Sequence, residues 1–161
     1  MKKKNGFTLI EVIVVIVILA VLMAVAVPSV MSYMDSANKA KYYAASRSVT
    51  QKINVELSKL YAGDSDAKNY NSAVKAALNS YNKSVTGDTY VYATIVHSSI
   101  NNAANSISID QDYNGKTDPP KEYAPENIKF ITLYFTNSLN NINPTCYCNV
   151  YPNKKIDYHS M

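Results

Sequence analysis

Residues 7 to 27, FTLIEVIVVIVILAVLMAVAV, form a run of 21 positions in which Thr8 and Glu11 are the only polar side chains. Nothing else in the chain restricts its fold so strongly. Coiled into a helix, the run is about 31 Å long, which matches the roughly 30 Å hydrocarbon core of a bilayer. Lys2, Lys3 and Lys4 stand just ahead of it. Clustered lysines beside a spanning run favour a cytoplasmic N-terminus, with everything after the run on the far side of the membrane.

Two kinds of processing are compatible with this layout. In an ordinary secretory signal, the lysines are the basic region, the run is the apolar region, and Ala24-Val25-Ala26 is a small-x-small cleavage site that releases a domain starting at Val27. Glu11 argues against this, because a carboxylate inside an inserting helix is costly and intramembrane charge is usually functional. A local reading of Glu11 also stands: it lies four residues after Phe7, close enough to the interface to snorkel or to take up a proton.

The string Lys2-Lys3-Lys4-Asn5-Gly6-Phe7-Thr8-Leu9-Ile10-Glu11 resembles the leader and cleavage site of type IV pilins and their pseudopilin relatives. The resemblance covers about residues 2 to 34, including Pro28 where the family commonly has a helix-kinking proline; no subtype is recognised beyond residue 61. It implies cleavage of the Gly6-Phe7 bond by a membrane-embedded prepilin peptidase, N-methylation of Phe7, and a mature chain that keeps the apolar run. It also implies that Glu11 of one subunit meets the Phe7 amine of a neighbour in a filament. Cleavage turns an amide nitrogen into an ammonium group, and a buried carboxylate facing an ammonium recovers much of its desolvation cost. Buried ion pairs of this kind are best attested as devices of register. The glycine common within the family's apolar run is absent here, where Ala20 and Ala24 are the small residues.

Helical spacing continues past Pro28 through Val30, Tyr33, Met34, Ala37, Ala40, Ala44, Val49, Ile53, Leu57 and Leu60, and Gly63-Asp64 supplies a stop. The helix is expected from Phe7 to Tyr61, roughly 82 Å, too long for one compact domain unless half of it finds partners elsewhere. Pro28 should kink or loosen it. The expected organisation is a leader (1–6), a membrane-spanning and filament-core half-helix (7–34), an amphipathic half-helix (35–61) and a head (62–161). Within the head, Val74, Ala77, Leu78 and Tyr81 are spaced for a short connector helix, and strands are expected at Thr89 to His97, Ser106 to Ile109, Ile128 to Phe135 and Cys146 to Tyr151. Val91, Ile95, Ile131 and Leu133 are the expected cover for the amphipathic half-helix. The fold class is α+β, a long N-terminal helix packed on a small antiparallel sheet.

Charge narrows the function. The net +4 comes from 16 basic and 12 acidic residues, but the three leader lysines supply most of it, and residues 62 to 161 hold eight basic against nine acidic side chains. Nucleic-acid binding by a positive face has no support in these sums. Asp110-Gln111-Asp112-Tyr113-Asn114-Gly115-Lys116-Thr117-Asp118 reads as half a calcium loop, with Asp110, Asp112, Asn114 and Asp118 as oxygen donors. The closing acid is missing, because Lys121 holds the twelfth position, and a polar hairpin turn explains the stretch equally well. Cys146 and Cys148 would point the same way from one strand about 7 Å apart, as free buried thiols or as a strained turn disulfide. His97 and His159 are isolated, and no nucleophile elbow or phosphate loop is present, so no enzyme is expected.

The function expected from the resemblance is a structural subunit of a type IV pilus, inserted in the cytoplasmic membrane and then polymerised with copies of itself into an extracellular filament by the pilus assembly machinery. Host or surface ligands are partners the head could take. The alternatives are a pseudopilin or minor pilin of a secretion or competence apparatus, or a secreted ligand- or calcium-binding domain with an ordinary signal.

Overall fold

The computed structural model describes residues 7–67, 69–99, 104–109, 125–140 and 143–161. The apolar run and the periodic stretch after it form one helix, α1 (Leu9–Ala62), which passes through Pro28 without a break in assignment. The Ser29 hydroxyl donates to the Val25 carbonyl at 3.3 Å, beside the place where proline removes a backbone donor. The C-terminal stop is a Schellman motif: Gly63 takes φ +77°, its N–H reaches Leu60 O at 3.1 Å, and Asp64 N–H reaches Lys59 O at 2.9 Å. Gly63 has the freedom that this left-handed position demands.

The chain divides into two compact units, Met1–Ala40 and Lys41–Met161. In the first, every described side chain is exposed. In the second, α1 buries Tyr42, Ala45, Ser46, Val49, Ile53 and Leu57. The stripe steps by three or four residues, as an amphipathic helix requires. Ala44 is off it and exposed, contrary to the sequence expectation, because Ala45 and Ser46 hold the core-facing angle between Tyr42 and Val49.

After α1 the chain forms α2 (Tyr70–Ser84). Asn69 caps it reciprocally: its Oδ1 accepts from Ser72 N at 2.9 Å, and Ser72 Oγ accepts from Asn69 N at 3.0 Å. Ala73, Val74, Ala77, Leu78 and Tyr81 face the core. The Asn82 amide then holds the first strand by its backbone, accepting from Val91 N at 3.0 Å and donating to Val91 O at 2.8 Å.

Five strands follow: β1 (Tyr90–Ser98), β2 (Ala104–Ser108), β3 (Ile128–Thr136), β4 (Pro144–Val150) and β5 (Ile156–Ser160). They form one antiparallel sheet in the order β2-β1-β3-β4-β5. Val49, Ile53 and Leu57 of α1, Leu78 of α2, and Val91, Val96, Ile107, Ile131, Leu133 and Phe135 of the sheet make the centre of a single core. The Tyr42 ring packs on Phe135 at 5.3 Å and stacks on Tyr158 at 5.6 Å.

Two strand expectations are corrected. Ile95 does not cover α1; Thr94 and Val96 point inward instead and Ile95 is half-exposed. The register of β1 on β3 shifts between Val91 and Ala93, and one extra residue in a strand reverses the inside-outside alternation beyond it. The second correction is β5, which no sequence expectation included. Its segment, Ile-Asp-Tyr-His-Ser, has too few β-branched residues to announce a strand; pairing with β4, from Val150↔Ile156 to Cys146↔Ser160, makes it one.

Candidate functional site

The most distinctive chemistry in the sequence, a lone acid in an apolar run, sits at the first turn of α1. Thr8 precedes the helix and Glu11 is its third residue. Glu11 Oε2 accepts from Thr8 N at 2.7 Å and from Thr8 Oγ1 at 2.7 Å, while Glu11 N approaches Thr8 Oγ1 at 3.4 Å. This is a capping box, in which two side chains satisfy the backbone donors that a helix start leaves without partners. It also places the carboxylate at the positive end of the helix dipole. Sequence reasoning on Glu11 looked for partners outside the helix and missed this one, although the Thr-x-x-Glu spacing before an apolar run is its signature.

Glu11 shares a helix face with Phe7, Ile10, Val14 and Val15. Apart from Thr8 the side chains that share this face are apolar, and Phe7 is 84% exposed. Both Thr8 bonds fall on Oε2, so among the described residues Oε1 is open to a further donor. The arrangement is a carboxylate oriented by Thr8 on a surface that Phe7 shares.

Of the other residues singled out in the sequence, Lys2, Lys3, Lys4 and Gly6 lie outside the described residues, as do Asp110, Asp112, Asn114 and Asp118 of the calcium-loop reading. Among the described residues no three His, Cys, Asp or Glu side chains come together as a metal site. Cys146 and Cys148 are free and buried in β4. Burial pushes both thiols up, Cys146 to about 11, which makes them inert rather than nucleophilic. His97 stacks on Phe130 at 4.0 Å and His159 on Tyr147 at 4.6 Å. Burial lowers the His97 pKa, with the Lys129 charge adding to the effect.

One helix among the described residues, α1, is long and apolar enough to cross a membrane. Comparison with protein families matches residues 1–27 to the prokaryotic N-terminal methylation motif. No curated protein and no solved structure matches the chain. The leader motif and the apolar helix support a type IV pilin- or pseudopilin-like precursor, and the long helix with its five-stranded antiparallel sheet is an α+β, pilin-like fold.

Proposed function

We propose that the chain is a structural subunit of a type IV pilus: it is inserted with its N-terminus in the cytoplasm, cut between Gly6 and Phe7 by prepilin peptidase, methylated on Phe7, and polymerised by packing of its N-terminal helix against copies of itself. The observation that carries the reading is the joining of a methylation motif to a helix whose apolar side chains from Leu9 to Met34 are all exposed. Such a surface needs lipid before assembly and identical helices afterwards. Cleavage supplies the ammonium that the open oxygen of Glu11 lacks in the precursor, so processing and packing become one event. The role is structural rather than catalytic, and the head is the part that would meet host or surface ligands and the assembly machinery.

The test is recovery of surface filaments from cells carrying Glu11→Gln. The variant keeps the helix, the membrane run and, through its amide oxygen, an acceptor for Thr8, but loses the charge. Membrane-inserted, processed subunits with filaments reduced at least tenfold are expected; normal filaments would remove the ion pair from the account. Abundance separates the related alternative: a filament made chiefly of this chain supports the major subunit, and trace incorporation into a filament of another protein supports a minor pilin or pseudopilin.

A further inference from the structure

The flanks of α1 within the second unit differ. One carries Lys52 and Glu56 and faces α2, where Lys52 Nζ donates to Ser80 Oγ at 3.2 Å. The other opens into a groove of about 870 Å³, walled by Arg47, Thr50 and Val55 of α1 and by Val150, Lys154 and Ile156 of the β4–β5 hairpin. That volume lies within the range of small-molecule sites. We propose that this groove binds a small carboxylic acid with an apolar body, its carboxylate held between Arg47 and Lys154.

Three observations carry the assignment. The first is charge. Lys59 and Lys155, near the same groove, are already held by Glu56 at 2.9 Å and Asp157 at 3.2 Å, whereas Arg47 and Lys154 have no ion-pair partner among the described residues. Arg47 is the single arginine among 16 basic residues, and its planar fork takes a carboxylate in two parallel bonds, which a lysine cannot do.

The second is the apolar wall beside these cations, where Val55 is 47% exposed on the groove. The apolar side chains Val55 and Ile156 offer a surface for the rest of the ligand.

The third is backbone conformation. Lys154 takes φ +67° in the hairpin turn, where its N–H reaches Tyr151 O at 3.0 Å and Tyr151 N–H reaches Lys155 O at 3.0 Å. This left-handed position suits glycine or asparagine, and a lysine there is strained. Strain of this kind concentrates at ligand sites, and here it sets a cation on the groove.

The experiment is methyl-detected NMR on the full-length chain in detergent micelles, titrated with 2-naphthoate and, as a neutral control, 2-naphthamide. Naphthoate is expected to shift the methyl signals of Val55, Val150 and Ile156 saturably, with naphthamide at least tenfold weaker. Arg47→Gln should weaken naphthoate about tenfold, the loss of a charge-assisted contact. Lys154→Gly should weaken binding while raising Tm, because glycine relieves the turn. The proposal is overturned if millimolar naphthoate leaves these methyls unmoved, if acid and amide bind alike, or if either variant binds as tightly as the parent.

Discussion

Two stretches of α1 are built from the same kinds of residue and end in opposite surroundings. Residues 9–34 carry Ile, Val, Leu and Met around the whole circumference, and all are exposed. Residues 42–57 carry fewer apolar side chains on one stripe, and Val49, Ile53 and Leu57 there are 0% exposed. The difference teaches that hydrophobicity alone does not say where a helix goes. An apolar stripe can be covered by one sheet. An apolar circumference needs a surrounding medium, either lipid or other helices.

The largest test of that contrast is truncation on each side of it. Leu57→Ala, in the covered stripe, should cost about 3 kcal/mol of head stability through lost burial and a residual cavity. Leu19→Ala, in the exposed run, should leave the melting of the head unchanged. Denaturant melts of the full chain in detergent, followed by tyrosine fluorescence, would check both; equal effects would dissolve the distinction.

Asn82→Ala should come next, at about 2 kcal/mol, because it leaves the buried N–H and C=O of Val91 without their partners. The bulge beside Val91 places this loss where the strand is already irregular, so faster amide exchange in β1 than in β4 should accompany it.

The thiols offer a smaller effect with a definite sign. Cys146 titrates near 9 when unfolded and about 11 when folded, because burial disfavours the thiolate. The folded pKa is the higher one, so its contribution to stability is fully present below pH 9 and is lost as pH rises from 9 through 11. Cys146→Val should flatten that part of the alkaline loss. In the native protein both cysteines should resist iodoacetamide near neutral pH, and both should react after unfolding; a disulfide would block both conditions.

Smallest is the pair of Lys41 with Asp88, at 2.9 Å but with both side chains well exposed. The Lys41 hydrogen bond holds the Asp88 carboxyl below its ordinary range, so this contribution is present at neutral pH and is lost as pH falls through the folded pKa. Solvent screening keeps it to roughly 0.5 kcal/mol. Lys41→Gln should shift Tm by little, and 0.5 M salt should erase the difference.

The sequence made the helix legible because two simple signals, an unbroken apolar run and a stripe ending at Gly63, lie in local order. Strands β1, β3 and β4 were legible from β-branched and aromatic clusters. β5 was not, since its strand character comes from pairing with β4 rather than from its own residues. Ile95 was misplaced because a bulge is set by backbone pairing and leaves no mark in residue type. At the helix start, Glu11 was recognisable as unusual, but its first partner, Thr8, was overlooked beside the larger question of what another subunit could offer.

The proposed assembly requires cleavage ahead of Phe7, because only that cut both keeps the apolar helix and creates a cation for Glu11. Intact-mass and N-terminal peptide mass spectrometry of the protein from its native membrane tests this directly. A chain beginning at N-methylated Phe7 is the expected result, and a chain beginning at Val27, with the apolar run removed, would contradict it.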